Sequence, residues 1–180
     1  RTIAPATDFR DLEVVPDGTQ IYAVCNGSSS ILVGSWGPGA QDFNPAPDSL
    51  DTYTLNTVAD PLGIAIDPCG HQALVPVEGG GIQIWDVKPS SDSWGRQIGF
   101  IPAEGFDLTG ELAINPAGTC LLALTASGAL LSFALPADSL VSQISLDIDP
   151  QDVSFDPLGR YAYATSANGS VHVVAVDSLG

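Results

Sequence analysis

Three acidic residues recur at one place in a repeated pattern. Asp11, Glu111 and Asp152 each stand five residues before the proline of an x-P-x-G tetrapeptide, and Gly63 holds the fourth such position. Brought together, these carboxylates could hold Ca²⁺ or Mg²⁺, or attract a basic peptide. The plainer reading is a set of solvated acids at strand starts, because no dense Asp-x-Asp ligand run accompanies them. The only histidines, His71 and His172, occupy different places in the repeat, which argues against a shared zinc site. There is no G-x-S-x-G, H-E-x-x-H or P-loop motif, and no serine has a recognisable base partner. Cys25, Cys69 and Cys120 lack C-x-x-C spacing and read as structural.

Two tryptophans are further binding candidates. Trp36 and Trp94 flank long connections at 37–49 and 88–97, both rich in turn-forming residues. An aromatic ring on such a loop can meet a protein or a sugar, or it can anchor its own loop. Asn26 and Asn168 each lie in an N-G-S sequence. That sequence is a glycosylation acceptor in secreted eukaryotic proteins, but a tight turn requires Asn-Gly in any case.

Composition narrows the partners. The chain has 180 residues, 44% of them hydrophobic, enough for one domain with a real core. A formal net charge of −16 repels phosphate backbones and anionic lipid, so nucleic acid is not an expected partner. No apolar run approaches the roughly 20 residues that a membrane-spanning helix needs. The sequence begins at Arg1 without a signal peptide and reads as a mature product or a piece of something longer. Gly (19) and Pro (14) are frequent, whereas Lys, Met and Glu are scarce or absent, which favours many turns over helices.

The elements that position these residues follow from the repeat. The turns are VPDG at 15–18, DPCG at 67–70, NPAG at 115–118 and DPLG at 156–159. Proline presets φ and glycine accepts positive φ, so each folds the chain back. A short run of period two precedes each turn: DLEV, GIAI, ELAI and DVSF. A second run follows it, in which Tyr22, Leu74, Leu122 and Tyr163 are equivalent. A Gly-containing turn and a third run close a three-stranded meander. Alternating stretches at 51–58, 96–103 and 142–148 supply fourth strands. Four strands in roughly 40–50 residues, repeated, predict an all-β fold: a β-propeller with four blades of four antiparallel strands.

The stretch PQDVSFDPLGRYAYATSANGSVHVVAVD, 150–177, resembles a repeat of the YVTN family of bacterial and archaeal propellers, and IQIWDV at 82–87 is similar to the end of a WD-type repeat. The resemblance covers nearly the whole chain and concerns blade architecture. YVTN-like propellers usually have about seven blades, within the known range of blade numbers. Three arrangements are therefore open: a slice of a larger propeller, a closed four-bladed ring, and a half completed by self-pairing. Ala65, Ala113 and Ser154 suit the crowding of a small ring at its axis, and Glu13 does not. The chain reads as one domain, 1–180, with repeats at about 9–58, 59–103, 104–148 and 149–180. Residues 1–8 are expected to add the closing strand of the last blade.

In a propeller the three acids start the innermost strands, near one mouth of the channel. The expected function is a non-catalytic binding or scaffold module, outside the cytoplasm: extracellular, on the cell surface or periplasmic. Its partner would be a protein or a carbohydrate polymer, with no required cofactor. The contrasting reading comes from the resemblance, since some YVTN-like proteins resemble lactonases that use acids and a His near the channel. It implies Asp11, Glu111, Asp152 and His71 as candidates, with Ca²⁺ or Mg²⁺ at the mouth. A plain spacer within a long surface protein is a third possibility.

Overall fold

The structure, a computed structural model, describes residues 9–25, 27, 29–35, 51–57, 59–135, 137–146 and 149–176. Blade one contains β1 (Phe9–Val14), β2 (Gln20–Cys25), β3 (Ser30–Ser35) and β4 (Asp51–Asn56). Blade two contains β5 (Ala65–Ile66), β6 (Gln72–Val77), β7 (Gly81–Asp86) and β8 (Gln97–Pro102). Blade three contains β9 (Leu108–Ile114), β10 (Cys120–Thr125), β11 (Ala129–Ala134) and β12 (Ser139–Ser145). Blade four contains β13 (Pro150–Phe155), β14 (Tyr161–Ser166) and β15 (Val171–Ala175). Every sheet is an antiparallel meander in chain order, and no α-helix occurs among the described residues. The four sheets are set about a common axis as the blades of a β-propeller. The expected closing strand at 1–8, the connection at 37–49, Trp36 and Asn26 lie outside the described residues.

The four turns close in the same way. The amide of Gly18, Gly70, Gly118 or Gly159 donates to the carbonyl three residues earlier, at 2.8 to 2.9 Å. All four glycines have φ between 66° and 72°, which a side chain disfavours. In three turns the first residue adds a second tie: Asp67, Asn115 and Asp156 each accept two backbone amides from the start of the next strand. Blade one has Val15 at that position and uses Asp17 on Thr19 instead.

The strands match the alternating runs with three differences. GIAI forms a ladder only at Ala65–Ile66. Pro76 of β6 stands where Gly63 would pair and has no N–H to give, and the Ile64 amide is turned onto the Asp11 carboxylate. β1, β9 and β13 start at Phe9, Leu108 and Pro150, ahead of the DLEV, ELAI and DVSF runs, each through a register shift. β12 starts at Ser139, with Leu140 opposite Phe133 and Val141 at a register shift that absorbs the break in alternation.

Among the described residues the core consists of three apolar layers, each between two successive blades. Tyr22, Val24, Ile31 and Val33 of blade one pack on Ile64, Ile66, Ala73 and Val75 of blade two. Leu74, Ile82 and Ile84 of blade two pack on Leu121, Ala123 and Phe133 of blade three. Leu122, Leu124 and Leu130 of blade three pack on Val153, Ala162 and Ala164 of blade four. Tyr22, Leu74 and Leu122 are at most 1% exposed, whereas Tyr163, at the same repeat position in blade four, is 37% exposed. The outer face of the last blade is therefore uncovered among the described residues.

At the channel the backbones come close. A Cβ on Gly63 would lie 2.1 Å from the Gly110 carbonyl oxygen, and one on Gly110, where φ is 109°, would lie 2.3 Å from that of Leu62. Backbone cannot yield as a flexible side chain does, so Gly63→Ala is expected to lower stability by about 1–3 kcal/mol or more. Urea denaturation checks this: a midpoint equal to that of the parent chain would mean the blades do not approach in this way.

Candidate functional site

The starts of the inner strands build the candidate site. Asp11, the third residue of β1, is half-buried and bridges two blades: Oδ1 accepts the Leu12 amide at 2.7 Å and Oδ2 accepts the Ile64 amide at 2.9 Å. Gly63 makes this possible, because its missing side chain leaves room for the carboxylate. Asp152 accepts the Val153 amide at 2.8 Å in the corresponding place of blade four. Glu111 lies between them in blade three. Burial, then the charges of Asp152 and Asp11, push its carboxyl above the ordinary glutamate range. The fold thus places Asp11 and Asp152 within electrostatic reach of Glu111. No group of three acids, histidines or cysteines among the described residues is arranged to hold a metal ion. Both oxygens of Asp11 are already taken up by backbone amides.

The inner wall of the channel carries the small residues expected there. Glu13, Ala65, Ala113 and Ser154 line a hollow of about 360 Å³ between the inner strands. Glu13 is the exception in size and charge. Burial first, and then the Asp11 charge, raise its pKa.

Beside the acidic mouth a second hollow, of about 710 Å³, opens between blades two and three. Its wall includes Arg10, Val77, Glu78, Gly80, Phe106 and Asp107. Val77 gives it an apolar floor, and Glu78 and Asp107 stand exposed at its rim. Gly79 and Gly80 of the β6–β7 loop, which lines the hollow, take φ of 91° and 90°, a backbone that favours glycine. A Cβ on Gly80 would meet the Ala103 carbonyl at 2.9 Å. The sequence signalled a turn at EGGG, but nothing in it signalled that residues 104–107 of the next connection would face that turn.

The other candidates lie elsewhere. Trp94 is half-buried and packs against the layer between blades one and two. There burial, with the Asp86 charge, raises the Tyr22 hydroxyl to about 12, an effect the neighbouring Trp94 partly offsets, and that hydroxyl donates to the Gln20 side chain at 3.0 Å. The loop that carries it is tied to Asp86, whose carboxylate accepts the Ser91 and Ser93 hydroxyls and the Lys88 amide. Burial would raise the Asp86 pKa, but these bonds and the Lys88 charge together hold it low. This arrangement makes Trp94 the anchor of its loop. His71 is exposed at the turn end of blade two, away from the acidic mouth, and His172 pairs with Ala164 in β15. Asn168 caps its own turn by accepting the Ser170 amide at 2.9 Å.

No known sequence family matches the chain, and no curated protein matches it. The likeness to YVTN and WD repeats rests only on the residues that carry it. Among solved structures the chain is similar to Kuenenia stuttgartiensis hydrazine synthase, with a TM-score of 0.75 and 16% sequence identity. That match covers 99% of this chain and 48% of the other, so the chain spans about half the length of its structural neighbour. As 1538 solved chains match in all, the likeness identifies the propeller fold and no particular activity.

Glu111 yields a pH test. Its folded pKa lies above the unfolded value, near 4.5, so the folded state holds the proton more tightly. The stability it contributes is fully present below that value and is lost as pH rises through the folded pKa. Glu111→Gln is therefore expected to raise the melting temperature at pH 7 and to leave it unchanged at pH 4. A variant that is less stable at pH 7 would contradict the crowding of the three acids.

Proposed function

We propose that the chain is a non-catalytic binding module that takes a basic, partly apolar segment of another protein at the acidic channel mouth. One observation supports this above the rest: the hollow between blades two and three joins an apolar floor to the rim acids Glu78 and Asp107, and its wall runs to Arg10 and Thr109, which adjoin Asp11 and Glu111 along their strands. Negative charge at a concave mouth attracts cations over a distance and sets orientation, while the apolar floor supplies contact area. The net charge of −16 acts in the same direction. A propeller presents such a mouth on a rigid scaffold, which suits binding without chemistry. We place the module on an extracellular, cell-surface or periplasmic protein, because its charge and paucity of Lys fit that setting. Carbohydrate polymer is the alternative partner.

The lactonase-like reading draws less support. It would need Asp11 to release two backbone amides and His71 to leave the opposite end of its blade. The test is fluorescence anisotropy with a labelled Lys/Arg-rich peptide containing one Leu or Phe, at low and high salt. Binding that weakens with salt is expected, and Glu78→Gln with Asp107→Asn should weaken it further, by about 1 kcal/mol per rim charge removed. Absence of binding, or hydrolysis of a sugar lactone accompanied by a Ca²⁺-induced thermal shift, would overturn the proposal.

A further inference from the structure

We propose that two copies of this chain close head to tail, with the last blade of each packed on the first blade of the other, to form one eight-bladed ring. The inference is independent of the ligand reading above. It rests on the two open faces being the two halves of one interface that the chain builds three times internally.

The face that each blade offers to its successor is the first half. Ile31, Ile82 and Leu130 are fully buried, and the same repeat position in blade four, Val171, is 57% exposed. Val33, Ile84 and Ser132 are likewise buried, while their counterpart Val173 is 59% exposed. The face that each blade offers to its predecessor is the second half. Ile64 and Val153 are 4% exposed, but their counterpart in blade one, Leu12, is 52% exposed, and its neighbour Val14 is 42% exposed. On blade four the exposed Tyr163 of β14 stands beside Val173 of β15, and apolar positions exposed together in this way mark an interaction surface.

The turns show the same open ends at a different place. At each internal junction the turn proline of one blade touches the turn glycine of the next. Pro16 lies 3.2 Å from a Cβ position on Gly70, Pro68 lies 3.6 Å from that on Gly118, and Pro116 lies 3.2 Å from that on Gly159. Gly18 has nothing within 4 Å of that position, so Pro157 does not complete the series within one chain. Blade four thus carries an unreceived proline and blade one an unoccupied glycine, and the copy supplies each to the other. A heterologous contact of this type closes only if the rotation returns to its start. Eight blades lie within the range that propellers adopt, and a closed ring leaves no open blade face.

The experiment is sedimentation velocity of the 180-residue chain across a concentration series, with two face variants. The expected species has twice the 18.5 kDa mass of one chain. Val173→Asp on blade four, or Leu12→Arg on blade one, should each give a monomer, because either change spoils both junctions. Both positions are exposed in a single chain, so both variants should fold, and circular dichroism verifies this. Mixed in equal amounts, the two variants should recover the dimer, since one junction of the pair is then unaltered and the other sets Asp against Arg. A monomeric parent chain, as when the faces belong to further blades of a longer polypeptide, overturns the proposal. So do open-ended polymers, or a dimer that neither variant affects.

Discussion

A propeller blade is a twisted sheet that is apolar on both faces, and this constraint governs the rest of the molecule. No single blade here can bury its own side chains; Tyr22 is dry only because Ile64 and Val75 of the next blade lie over it. Dehydration of these layers is the main favourable term, at about 25 cal/mol per Å² of apolar surface. Hydrogen bonds within each meander satisfy the backbone but do not join one blade to the next. Only a few polar ties cross the junctions. The Asp11 carboxylate on the Ile64 amide and the Ser29 hydroxyl on Asp60 both join blade one to blade two.

The x-P-x-G turns serve the same constraint. Each ends the innermost strand with fixed φ on both sides, and in the first three the proline ring touches the glycine of the following turn. Rigid turns keep four blades in one register about the axis, so the starts of their inner strands converge as well. The crowding of Asp11, Glu111 and Asp152 is a consequence of this convergence. Mutual repulsion of these acids works against stability at neutral pH, and a cationic partner at the mouth would relieve it.

Much of this was legible in the chain. Period-two runs bounded by Pro-Gly turns gave the strands, and the equivalence of Tyr22, Leu74, Leu122 and Tyr163 gave the repeat. Other features depend on partners distant in sequence. The Asp11 clamp reaches an amide 53 residues away, and only the absent side chain of Gly63 admits it. The shortened β5 follows from Pro76 on a neighbouring strand, and the hollow beside the mouth from two loops that meet only in space. Whether the outer faces are covered could not be read at all. Tyr22 and Tyr163 are the same residue in the same repeat position, and only the presence of a following blade distinguishes a buried ring from an exposed one.

Hydrogen–deuterium exchange of single strands tests most directly whether stability resides in the layers between blades. If it does, the strands of blades two and three, covered on both sides, exchange most slowly in dilute monomer, and β15 and β1 exchange fastest. Equal protection across all four blades, or greatest protection in blade four, would contradict the account.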